Sequence, residues 1–319
     1  MKFIQQAYNG NNDWLAYIAT IFLMFFGWQL IGIIPLVGVA YNHSENMSEF
    51  LNAANDSFMT LGINSNLYLI LMIFTFFAGL VFLLIGVKFI HKRAILTVIT
   101  SRSKIDWSRV MFAFCTWGAM GLVSFLIGYL VFPEDYVLNF KLVPFTILVL
   151  ISFLLLPLQT SMEEVLFRGY LLQGFGTWFK RGFIALVLTA VIFGLLHSAN
   201  PEVEKLGYIT MVFYIGTGLL LGIFAIMDEG IELSLGFHAA NNIFAAVLVT
   251  ADWAAFQTEA LFIDISEPQV DIVLFLPVIV LYPIIIYVFS KKYGWKNWKE
   301  KMFGVIRKPV VFDEDRFIA

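Results

Sequence analysis

The chain has 319 residues, of which 60% are hydrophobic and only 13% charged, with a formal net charge of −3. Soluble globular domains are nearer half apolar and a quarter charged, so this composition excludes an ordinary water-soluble protein. The small net charge gives no ground for a nucleic-acid partner, and the single cysteine, Cys115, excludes an internal disulfide or a Cys-x-x-Cys metal site.

The first apolar run begins at Trp14, with no basic region before it beyond Lys2, and it is too long for a signal-peptide core. It therefore reads as a retained helix. A spanning helix needs about 20 mostly apolar residues, and the sequence offers about eight such runs: Trp14–Ala40, Asn66–Ile90, Val110–Phe132, Leu142–Trp178, Phe183–His197, Leu206–Met227, Ile231–Thr250 and Ile272–Phe289. Cys115 falls in the third, where it reads as a small buried hydrophobe. The fourth run is too long for one straight crossing, and Pro157 inside it predicts a kink. The fifth is short unless its helix continues to about Asn200. No strand alternation extends over a useful length, which argues against a β-barrel. The expected fold is all-α: a single polytopic membrane bundle over 1–319, with its polar residues gathered in about 142–250 and a basic tail at 290–319.

Charge then orients the bundle. Tyr41–Ser65 holds Glu45, Glu49 and Asp56 without a base, whereas the next connection holds Lys88, Lys92, Arg93, Arg102, Lys104 and Arg109 against Asp106. Pro133–Lys141 is weakly acidic, Lys180 and Arg181 mark the fourth connection, and Ala251–Asp271 carries five acids and no base. The basic loops and tail belong on the cytoplasmic side, so both termini are expected inside and the number of spans is even. The tail, with Trp295 and Trp298 among its lysines, can also approach anionic lipid. The site of action is a plasma or inner membrane.

Ionisable residues inside a membrane are costly and point to function. They concentrate in three spans. In the fourth, Glu163 and Glu164 point about 100° apart on a helix, and Glu164 and Arg168, spaced i, i+4, can pair. Glu163 is left without an obvious local partner, a state suited to a general base. An alternative reading makes Thr160 or Ser161 the cap of a helix that starts after the kink, with Glu163 or Glu164 completing a capping box. In the fifth span, His197 lies about as far from the Lys180–Arg181 connection as Glu163 does, on the other side of it. In the seventh, His238 and Asn242 share a helical face at i, i+4, with Asn241 as a less favoured alternative. Polar residues of this kind also serve as interhelical glue.

At these residues the sequence resembles the CPBP family, the CAAX-protease and bacteriocin-processing group also called Abi, whose relatives include the type II CAAX prenyl endopeptidases. The pattern EExxxR is met by Glu163, Glu164 and Arg168, FxxxH by Phe193 and His197, and HxxxN by His238 and Asn242. The resemblance implies a membrane-embedded, glutamate-dependent endopeptidase acting on a membrane-associated peptide or protein. In it Glu163 activates water with the help of His197, His238 and Asn242 stabilise the oxyanion, and Glu164 and Arg168 form a supporting pair. No cofactor is expected. Zinc is the arguable exception, since two histidines and a glutamate are a plausible ligand set, but no HExxH spacing occurs. Two other functions compete: a non-enzymatic bacteriocin-immunity or scaffold protein, and a proton-coupled transporter, for which the sequence shows no internal repeat.

Overall fold

Within hydrocarbon a chain satisfies its backbone polar groups inside its own segment, and the apolar runs accordingly fold as helices. The computed structural model describes residues 2–254, 257–270 and 275–309. In chain order the apolar helices are α1 (Trp14–His43), α2 (Ser65–Ile90), α3 (Trp107–Val131), α4 (Leu142–Phe179), α5 (Gly182–Leu196), α6 (Tyr208–Asp228), α7 (Glu232–Leu248) and α8, in which the π-helical Pro277–Leu281 runs into Tyr282–Tyr293. Five of them, α1 to α4 and α6, are long and apolar enough to cross a membrane. The protein is a polytopic helical membrane bundle. The start of the eighth predicted span, at Ile272, lies outside the described residues.

Several local expectations change. Helix α5 does not continue toward Asn200: it ends at Leu196, and His197 caps it. Cys115 is exposed on the outer face of α3 rather than buried. A small sheet, ordered β1-β3-β2, joins Tyr136–Leu138 (β1), Val249–Thr250 (β2) and Phe262–Asp264 (β3). Strands of two or three residues are too short to leave an alternating pattern in the sequence.

Helix α4 contains the main irregularities. Its first part ends at Leu154, Leu155 (φ −113°) makes the break, and a new helix starts at Leu156 with Pro157 in its first turn. There the missing proline N–H costs nothing. Thr160 and Ser161 therefore lie inside the helix, and the capping-box alternative does not apply. The α-helix from Leu156 to Glu164 then widens into a π-helical stretch, Val165–Leu171, before Leu172–Phe179 completes the helix. Such π segments are frequent at functional sites.

Helix α7 starts below the surface of the bundle. Its first residue, Glu232, and the preceding Ile231 are fully buried. The loop between α2 and α3 lies over this start: Ile231 donates its backbone N–H to Ile99, Ser101 donates to Glu229, and Thr100 bridges Gly230. Arg102 reaches down to Asp228 (3.0 Å) and Glu232 (3.1 Å), and Arg109 also pairs with Asp228. The C-terminal segment folds onto the same end. Trp295 donates to Asp228, Lys301 pairs with Glu229 at 3.0 Å, and Ile306 donates to the Lys180 carbonyl. The tail, as far as it is described, is thus packed against protein. The Phe3 amide also donates to Glu229 and Gln5 donates to the Arg307 carbonyl, so the first and last described segments meet at this end of the bundle.

Small residues allow the close crossings that membrane helices need. Gly236 on α7 lies against the Val110 carbonyl and Ala113 of α3, and a methyl group there would overlap backbone. Gly121, elsewhere on α3, faces open space. Gly236→Ala is therefore expected to lower the melting temperature in detergent, by about 1–3 kcal/mol of overpacking. Gly121→Ala should leave it unchanged. Equal melting temperatures for the two variants would show that α3 and α7 have room to separate without cost.

Candidate active site

The second half of α4 and the first two turns of α7 bring the polar residues together. The His238 imidazole lies between the two adjacent carboxylates. Its Nδ1 is 2.7 Å from Glu164 Oε1 and its Nε2 is 3.5 Å from Glu163 Oε2. The roughly 100° between consecutive helical side chains is what lets two neighbours approach opposite edges of one ring. Phe193 and Arg168 enclose the other side: the guanidinium lies 4.3 Å from the Phe193 ring centre, and Phe193 stands edge-on to Phe167.

The two carboxylates have different surroundings. Glu164 is fully buried, and its Oε1 accepts from both Arg168 Nη1 (2.8 Å) and His238. Glu163 retains 8% exposure. Its Oε1 accepts from Gln159 Nε2 at 2.8 Å, and its Oε2 makes no hydrogen bond. Of the two carboxylates Glu163 is thus the less buried one and the one outside the Arg168 ion pair. Glu164 Oε2 and Arg168 Nη2 are also buried without partners, and buried polar atoms of this kind are normally met by water or ligand.

Hydrogen-bond chemistry fixes the histidine tautomers. An ionised carboxylate only accepts, so His238 Nδ1, facing the Glu164 oxygen that already binds Arg168, is assigned the hydrogen. His197 Nδ1 is 2.7 Å from the Phe193 carbonyl, which also only accepts. In each ring Nε2 is then left for chemistry. His197 does not pair with Glu163, however. Its ring stacks on Tyr214 at 4.6 Å and lies tilted against Phe193 at 4.5 Å, and Phe193 in turn lies 6.2 Å from His238. Phe193 thus lies against both histidines.

Asn242 donates from Nδ2 to Gln159 Oε1 at 2.9 Å. Asn241 points elsewhere: it accepts from Trp117 Nε1 and donates to Asn242 Oδ1. Two residues of the site, Gln159 and Tyr214, belong to none of the sequence motifs. Gln159 is placed by the same i, i+4 rule that pairs Glu164 with Arg168, and that rule applied one residue earlier finds it. Tyr214, whose hydroxyl accepts from Asn200, leaves no signal, because its contact with His197 depends on how α6 packs on α5. Among the described residues no three His, Cys, Asp or Glu side chains are grouped to hold a metal ion.

Residues 142–244 match the family model for Rce1-like type II CAAX prenyl endopeptidases. That match spans all three motifs and about a third of the chain. A curated relative, the uncharacterized protein YyaK of Bacillus subtilis (strain 168), is 36% identical over 167 residues, which is 52% of this chain and 56% of that protein. The chain thus spans about half the length of the curated relative it matches. No solved structure matches.

The Glu164–Arg168 pair is buried on both sides, at 0% and 1% side-chain exposure. Removing one member of such a pair strands a charge and costs about 3–5 kcal/mol. Arg168→Ala should accordingly melt well below wild type in detergent, and Arg168→Met combined with Glu164→Gln should recover most of the loss. A wild-type melting temperature for Arg168→Ala would mean that the pair carries no structural load.

Proposed function

We propose that this chain is a membrane-embedded endopeptidase in which Glu163 is the general base and no metal takes part. One observation carries the reading: Glu163 Oε2 is a buried carboxylate oxygen with no hydrogen-bond partner, 3.5 Å from His238 Nε2. The two atoms are close enough that one water, once admitted to the site, would contact both at ordinary hydrogen-bond distance. The match of residues 142–244 to the family model for Rce1-like type II CAAX prenyl endopeptidases supports peptide-bond hydrolysis as the chemistry.

In the proposed reaction Glu163 Oε2 takes a proton from that water, and the oxygen attacks the scissile carbonyl carbon. The developing oxyanion is met by N–H groups fixed in place beforehand, which is usually a large part of catalysis. Asn242 has a second amide hydrogen beyond the one given to Gln159, and His238 supplies Nε2–H when its ring is charged. The proton on Glu163 then passes to the leaving nitrogen as the C–N bond breaks. His197, with Nε2 free and its ring held by Phe193 and Tyr214, assists the water from the fifth helix.

The substrate is proposed to be a membrane-associated peptide or protein, because the site lies on helices that the bilayer surrounds. The end of the bundle where the first and last described segments meet also carries the basic α2–α3 loop, Lys180 and Arg181, and it is assigned to the cytoplasm by the positive-inside rule.

The test works on whole membranes and does not require a purified substrate. Protein N-termini are compared in membranes carrying wild type or Glu163→Gln. A set of new N-termini present only with wild type, and persisting with a zinc chelator, is the expected result. Identical sets would leave the chain as a non-catalytic membrane protein, and loss of the set with the chelator would make the reaction metal-dependent.

A further inference from the structure

Gln159 is buried at 7% exposure one helical turn before Glu163, and both ends of its amide are engaged. The nitrogen donates to Glu163 Oε1 at 2.8 Å, and the oxygen accepts from Asn242 Nδ2 at 2.9 Å. This amide cannot flip without facing an acceptor with its oxygen and a donor with its nitrogen, which would break both bonds. We infer that Gln159 is a positioning residue that ties the base to the oxyanion donor: it fixes Glu163 with Oε2 toward His238, and it fixes the Asn242 amide with one hydrogen spare.

The inference rests on the proposed peptidase, and its physical basis is the distribution of hydrogen bonds over two helices. Glu163 belongs to α4 and Asn242 to α7, and no hydrogen bond or ion pair joins them directly among the described residues. Their relative placement depends on His238 at one carboxylate oxygen and on Gln159 at the other. His238 takes part in the chemistry and changes its hydrogen bonding during it. Gln159 has no proton to exchange, so its two bonds persist while the others change. Without Gln159 the Glu163 carboxylate has no hydrogen bond at either oxygen and can rotate, and an unheld Asn242 can turn its spare hydrogen away from the carbonyl. Misplacement of this order costs about 100-fold in rate, without altering how the rest of a substrate is bound.

The test uses the purified full chain in lipid and a quenched peptide copied from a cleavage site mapped by the N-terminal comparison. Gln159→Leu, which keeps the volume and removes both bonds, is expected to lower kcat about 100-fold with KM within about threefold, and to lower the melting temperature because it leaves two buried groups unpaired. Gln159→Glu, which keeps an acceptor for Asn242 but sets a second carboxyl beside Glu163, should also lose kcat. Infrared difference spectra give a readout that purely structural damage would not move. The wild-type minus Gln159→Leu spectrum should contain a carboxyl band that is absent when both proteins also carry Glu163→Gln. Wild-type kcat in Gln159→Leu, or a carboxyl band that survives the Glu163→Gln background, would overturn the inference. If Glu163→Gln itself leaves the cleaved N-termini unchanged, the peptidase reading falls, and the infrared comparison still decides whether Gln159 holds Glu163.

Discussion

The arrangement depends on one histidine held between two carboxylates of unlike environment. His238 contacts Glu164 with one nitrogen and faces Glu163 with the other. Because Arg168 compensates the Glu164 charge, Glu164 can be fully buried and still accept the His238 hydrogen. That contact fixes the ring, and the fixed ring presents its second nitrogen to the Glu163 carboxylate, whose Oε2 has no hydrogen bond. Two adjacent residues of one chemical type thus occupy unlike surroundings, one in a buried ion pair and one outside it. The π-helical turn that begins at Val165 follows directly on these two residues and carries Arg168.

The remaining architecture brings α7 to the height at which His238 can enter this clamp. His238 lies only six residues into its helix, about 9 Å of rise. It reaches the carboxylates because α7 begins inside the bundle, beneath the loop that joins α2 to α3. Starting a helix there buries Asp228 and Glu232, and Arg102 and Arg109 compensate them from above. The basic loop therefore has a second function besides any role in orientation: it neutralises the carboxylates at the buried start of the helix that carries His238. Gly236, shortly before His238 on the same helix, lets α7 approach α3 closely enough to keep this position.

Much of this is legible in the sequence, and what is not has identifiable causes. The eight apolar runs mark the helices because hydrocarbon leaves the backbone few alternatives, and the break near Pro157 follows from its missing donor. The i, i+4 spacing predicts Glu164 beside Arg168. The same spacing relates Gln159 to Glu163, yet a neutral amide attracts less notice than a charge, and Glu163 reads as a carboxylate without a local partner. The depth of His238 is not legible, since nothing in Asp228–Glu232 shows that Arg102 and Arg109, more than a hundred residues earlier, will cover it. His197 and Glu163 are at matched distances from the turn between their helices, but distance along a helix does not set direction, and the His197 ring turns toward Phe193 and Tyr214. The short sheet β1-β3-β2 is a product of tertiary pairing with no periodic signal of its own.

Everything proposed for the site passes through the state of His238, and nitrogen NMR of histidine-labelled protein in lipid observes that state. His238 is one of four histidines, and its two ring signals can be assigned by their loss on substitution. Nδ1 is expected to carry a hydrogen and to shift with Glu164→Gln, while the Nε2 signal shifts with Glu163→Gln. A bare Nδ1, or ring signals that respond to neither substitution, would show that the two carboxylates do not hold the ring between them.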